Sequence, residues 1–120
     1  MIKPHELFIG AVVLYDSYVG WEEYTIDASE IAVCEFKPEA WNVLHKPLPI
    51  TPEVLDRAGF FTGFLSNKQY GFQVEIRSKS AALFISEHSH TIMVENIHFH
   101  DLQRLYLSLT GELLTLKPKL

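Results

Sequence analysis

The stretch Ile97-His-Phe-His-Asp-Leu-Gln-Arg-Leu-Tyr-Leu-Ser-Leu-Thr-Gly111 decides the fold. At about 100° per residue, Phe99, Leu102, Leu105, Tyr106, Leu109 and Leu113 fall within one arc, while Asp101, Gln103, Arg104 and Ser108 fall outside it. Asp101 lies in the first turn, where the helix dipole favours a negative charge. Gly111 stands where a left-handed C-terminal cap wants a residue without a Cβ. An apolar stripe of this kind is not stable alone in water and calls for a sheet beneath it. Leu107 breaks the pattern. It points away from the stripe, beside His100 and flanked by Gln103 and Arg104, and these four residues form a candidate contact patch for another chain.

Upstream, the signals are mostly those of strands. Leu7 to Tyr15 is apolar and rich in β-branched residues, with Gly10 inside it as a candidate bulge or close backbone approach. Asp16 to Gly20 supplies turn chemistry, and Trp21 to Phe36 alternates with a change of parity near Ala28, which predicts two strands or one strongly bent strand. Ala40 to Leu44 reads as a short strand. Thr51-Pro-Glu-Val-Leu-Asp-Arg-Ala-Gly59 carries the marks of a short helix: an N-cap Thr51, Pro52 at N1, Glu53 at the positive end of the dipole and Gly59 at C′. Phe60 to Leu65 and Tyr70 to Arg77 predict a hairpin closed near Ser66-Asn67-Lys68. A turn at Ser78-Lys79-Ser80 leads into Ala81 to Ile85, a loop spans Glu87 to His90, and Thr91 to Glu95 forms one last strand. The tail is expected to fray after Leu116. These elements predict a single α+β domain over residues 1–120. Its sheet is mostly antiparallel, with about six strands and either bent or barrel-like, carrying a short middle helix and a longer C-terminal one.

The 120 residues are 48% hydrophobic, enough for one core without a disulfide or metal, and the single Cys34 has no partner within the chain. That suits a reducing cytoplasm. A net charge of −5 with the basic residues scattered argues against nucleic-acid binding, which needs clustered Lys and Arg. No signal peptide is visible at the start, and no apolar stretch approaches the length of a membrane span.

Few constellations point to chemistry. Four of the six histidines, His88, His90, His98 and His100, lie close together in sequence as two His-x-His pairs, a pattern that suits Zn²⁺. Against convergence, His98 and His100 sit at a helix start, where residues two apart diverge by about 200°. Cys34 shows no nucleophile signature. The carboxylates Glu22, Glu23, Asp27, Glu30, Glu35 and Glu39 read as a solvated acidic face, and Tyr15, Tyr18, Trp21 and Tyr24 as an aromatic cluster for core or protein contact. Neither a GxGxxG nor a GxxxxGK[ST] pattern is present.

Three segments carry a resemblance: Ile2 to Gly10, Pro47 to Phe60, and His100 to Glu112. In these the chain resembles small uncharacterised proteins encoded by prophages and other mobile elements of Bacteroides-type gut bacteria. The resemblance implies a genomic context and no mechanism. With no catalytic motif, an outward Leu107 patch and exposed aromatics, the expected function is a non-catalytic accessory protein that acts through a protein partner or by self-association. The contact would be made at His100, Gln103, Arg104 and Leu107. The alternative is a Zn-type metal-binding protein or hydrolase built on His88, His90, His98 and His100.

Overall fold

The computed structural model describes residues 1–67, 69–78 and 80–119. After a 3₁₀ turn at Pro4–Glu6, strands β1 (Val12–Ser17) and β2 (Gly20–Thr25) form a hairpin. Helices α1 (Ala28–Phe36) and α2 (Pro38–Leu44) follow, and strand β3 (His45–Pro47) returns to the free edge of β1. The result is a three-stranded antiparallel sheet ordered β2-β1-β3. Helix α3 (Pro52–Arg57) leads into a four-stranded antiparallel meander of β4 (Phe64–Asn67), β5 (Tyr70–Ile76), β6 (Ala81–Glu87) and β7 (His90–Ile97). Helix α4 (Phe99–Thr110) completes a single α+β domain. The strands divide between two open sheets, and no barrel closes.

The capped elements form where their sequence signals stand. Thr51 accepts the Val54 N–H at 3.2 Å at the start of α3, and Gly111, at φ +75°, takes the left-handed cap of α4. Two corrections concern α1 and α2. Ala28 to Phe36 is helix despite its strand-like alternation, because the Asp27 carboxylate accepts the Glu30 N–H at 3.0 Å and caps it. Ala40 to Leu44 belongs to a second helix, opened by Pro38 in its first turn. The first strand begins later than expected. Gly10, at φ +99°, turns the chain, and a Cβ there would meet Leu113 Cδ2 at 2.6 Å. The Glu87 to His90 loop shrinks to His88 and Ser89, because the strands run up to both neighbours. The first hairpin strand starts at Phe64 and not Phe60, because Thr62 and Gly63 turn the chain. It runs on through Ser66 and Asn67, where the sequence predicts the turn. Lys68 and Lys79 of the two other predicted turns lie outside the described residues. The tail does not fray at Leu116: Lys117 donates its N–H to Arg57 O (2.9 Å), and its own carbonyl accepts from Arg57 Nε (2.8 Å).

Two cores result, and β1 belongs to both. Its period of two sends Val12 into the larger core, with Phe72, Leu83, Phe99, Leu102 and Tyr106, and Val13 into a smaller one with Ile2, Ile26, Cys34 and Trp41. Helix α4 lays Phe99, Leu102 and Tyr106 on the meander, the Tyr106 ring 4.9 Å from that of Phe72. Its other side meets β1 through Gln103, which is fully buried and not on the wet face its position in the stripe suggested. Gln103 Oε1 accepts the Val12 N–H at 2.8 Å, and Nε2 donates to the carbonyls of Gly10 (3.1 Å) and Leu114 (2.8 Å). The Ala11 carbonyl accepts the Ile26 N–H at 2.8 Å, so the trans peptide that follows it turns the Val12 N–H away from β2. Strand β3 has already ended at Pro47 on that side, so the glutamine takes the place of the missing strand.

A second tie joins α3 to β2. Arg57 donates to both Glu23 carboxylate oxygens, at 2.6 and 2.8 Å, and this hydrogen-bonded pairing holds the Glu23 pKa below its usual 4.5 against the opposing effect of burial.

Two outcomes follow for stability. Gln103→Leu keeps the volume but leaves the Val12 N–H and two carbonyls unpaired, so denaturant unfolding should show a loss of about 2–5 kcal/mol. The Glu23 contribution is complete above pH 4.5 and is lost as pH falls through the lower folded-state value. Glu23→Gln should therefore cost roughly 1–3 kcal/mol at pH 7, with the gap to wild type closing on acidification below 4.5.

Candidate functional site

The four sequence-adjacent histidines do not meet. His88 and His90 stand at the β6–β7 turn, with His88 at φ +54°, whereas His98 and His100 stand beyond the other end of β7. Eight steps of strand at about 3.3 Å each place the pairs roughly 25 Å apart. A metal site shared by all four is excluded by that strand. The geometry also corrects the expected divergence of His98 and His100. His98 is the extended N-cap of α4 (φ −111°, ψ 177°), not a helical residue, so the two rings lie nearly parallel, 6.3 Å apart.

His100 instead faces residues remote in sequence. Its side chain is 2% exposed, and neither ring nitrogen has a hydrogen-bond partner. Nε2 lies 3.8 Å from Glu6 Oε1 and 3.6 Å from Asp101 Oδ1, both too long for hydrogen bonds. Each carboxylate is held by its other oxygen. Glu6 Oε2 accepts the Lys3 N–H at 2.6 Å in the 3₁₀ turn, and Asp101 Oδ2 accepts the His98 N–H at 2.9 Å at the start of α4. Arg104 Nη2 approaches Asp101 Oδ1 at 3.6 Å. Burial pushes the His100 pKa below its usual 6.5, while Asp101 and Glu6 pull it back and His98 and Arg104 lower it. Burial thus favours the neutral imidazole, with Nε2 facing two carboxylates. Glu6, His100 and Asp101 are the one His, Asp and Glu trio among the described residues with ligand atoms within 4.8 Å of one another. They border a cavity of about 400 Å³.

The proposed contact patch on α4 is not a free surface. His100 and Gln103 are buried, Leu107 is half-buried, and only Arg104 is exposed. That side of the helix packs against β1 and the 3₁₀ turn. Cys34 is buried as well, and burial raises its thiol pKa, so it is not a poised thiolate.

Exposed apolar side chains lie elsewhere, at Ile9, Phe61 and Ile92 among other places and on α1 and α2. Glu30 points inward, where it accepts from Trp41 Nε1 (2.8 Å) and from the Tyr24 hydroxyl (3.3 Å) and stands 3.7 Å from His45 Nε2. Trp41 stacks on His45 at 3.8 Å, with Tyr15 and Tyr24 beside them. Within the expected aromatic cluster, Tyr15 and Tyr24 join this network, Trp21 sits under Lys46, and Tyr18 is fully exposed. The same helix pair also carries exposed apolar residues. Ala32, Val33 and Phe36 of α1, with Ala40, Val43 and Leu44 of α2, are all exposed, Phe36 at 81% and Val43 at 73%. An ordinary surface helix shows the opposite arrangement. Charge is also divided. Residues 1–50 hold eight carboxylates and three lysines, and residues 51–120 hold seven of each sign, so the net −5 belongs wholly to the N-terminal part. Sequence reasoning missed this face because it took α1 for a strand; the Asp27-x-x-Glu30 cap was the available signal.

No protein family, curated protein or solved structure matches the chain. No described helix is long and apolar enough to cross a membrane.

An orphaned buried imidazole destabilises the fold that holds it. In chelator-treated buffer, His100→Leu should raise the denaturant midpoint, a gain of about 1 kcal/mol.

Proposed function

We propose that this chain is a non-catalytic accessory protein that works by docking a partner protein on the outer face of α1 and α2. The observation that supports this reading is the inverted helix pair, with Glu30 inside and Val33, Phe36, Val43 and Leu44 outside. A contiguous apolar face on a helix pair is the form an anchor site takes when its partner supplies the covering surface. The partner favoured by charge is a protein segment with an apolar stripe and basic flanks, because the whole net charge of −5 sits in the part that carries the face. Two like-charged copies would repel across it. Action in the cytoplasm and carriage on a prophage or other mobile element belong to the same proposal; a lone buried thiol suits the first, and the three resembling segments suggest the second.

The test uses a synthetic amphipathic helix with leucine on one face and lysine on its flanks, and a matched peptide with glutamate flanks. The lysine peptide should bind saturably, more weakly at high salt, and the glutamate peptide should not. Phe36→Asp with Val43→Asp should weaken binding by about tenfold or more, an anchor being worth roughly 2 kcal/mol or above. Their unfolding free energy should stay within about 0.5 kcal/mol of wild type, since both side chains are exposed. Equal binding by wild type and variant sinks the reading, and so does sedimentation as a dimer that the same substitutions dissociate.

A further inference from the structure

We propose that Glu6, His100 and Asp101 form a binding site for one divalent transition-metal ion of the Zn²⁺ class, open toward the cavity beside α4. This goes beyond the docking function and rests on different residues.

The argument begins with the orphaned ring. A histidine buried to this degree normally spends both nitrogens on hydrogen bonds, yet Nδ1 and Nε2 of His100 have none. Nε2 is aimed between two carboxylate oxygens, at 3.8 and 3.6 Å. Metal–ligand bonds of about 2.0–2.2 Å in tetrahedral geometry separate ligand atoms by roughly 3.3–3.6 Å. The two distances from Nε2 need a contraction of only a few tenths of an ångström to match a shared ion, and the carboxylate oxygens already lie within 4.8 Å of each other.

The supports fit the same purpose. Each carboxylate is oriented by a backbone N–H on its outer oxygen, from Lys3 for Glu6 and from His98 for Asp101, which leaves the inner oxygen facing the imidazole. One imidazole with two carboxylates is a mixed nitrogen and oxygen set suited to Zn²⁺ and its neighbours in the first transition row. Arg104 is the competing cation, 3.6 Å from the Asp101 oxygen. Its side chain is 45% exposed, so it is free to swing out as the ion enters. The coordination position not supplied by protein faces the cavity, where Asn96, His98 and Leu105 border it, and takes water or a small anionic ligand.

The experiment is calorimetric titration of Zn²⁺ into the full, untagged, chelator-stripped chain, with Co²⁺ absorption as a report on geometry. One ion should bind per chain, raising Tm and giving the intense visible bands of tetrahedral Co²⁺. Glu6→Gln and Asp101→Asn preserve the acceptors for Lys3 and His98 and so keep the fold, which circular dichroism checks. Each should weaken Zn²⁺ binding by tenfold or more and abolish the Tm increase. His88→Ala with His90→Ala should change neither. The proposal is overturned by the absence of saturable binding at one equivalent, by affinity unchanged in Glu6→Gln and Asp101→Asn, or by loss of binding on removal of His88 and His90.

Discussion

The structure depends on a single buried amide. Gln103 joins the end of β1, the helix that covers the meander and the segment after that helix, using one acceptor and two donors on three backbone groups. An apolar side chain there would fill the same space yet leave peptide groups dry and unpaired, which is costly in a protein interior. The amide therefore sets register as well as stability. It fixes where β1 meets α4, so Val12 enters one core and Val13 the other. Close approach at the same junction requires Gly10 without a Cβ, because Leu113 packs on its Cα.

Much of this was legible in the sequence. Helix α4 and its cap at Gly111, helix α3 between Thr51 and Gly59, and the meander from Phe64 to Ile97 were each written in periodicity and turn chemistry. The failures have local physical causes. Ile31 and Val33 alternate like strand residues, and the Asp27 cap that makes them helical is a single side chain acting at one end. Gln103 looked solvated because helical angle separates it from the stripe, but angle cannot reveal that a second layer lies on the other side. The histidine cluster was a product of sequence proximity, which a strand of eight residues undoes. The trio that does converge includes Glu6, whose distance along the chain from His100 leaves no spacing to recognise.

Beside its apolar core, the N-terminal part holds a partly buried polar network and exposed apolar side chains. Its interior holds Glu30 with Tyr24, Trp41 and His45 in one network, while its helices turn Val33, Phe36 and Val43 outward. A buried network of this kind specifies geometry more than it adds stability, since each group must find its partner to offset desolvation. The outward side chains contribute little to the folded monomer. Both peculiarities sit in the part of the chain that carries the net negative charge.

The link from Gln103 to Val12 also bears on the order in which the chain can fold. Its partners are 91 residues apart, and the Leu114 carbonyl that completes the set comes later still. Strand β1 and its neighbours thus have unpaired groups until the last helix is in place. On a ribosome, where the N-terminus emerges first, the three-stranded sheet would wait through most of synthesis for its final contact. Closing so long a loop before any reward is returned slows folding. The Val12 end of β1, which no strand covers on the β3 side, is meanwhile the segment most in need of protection from other chains.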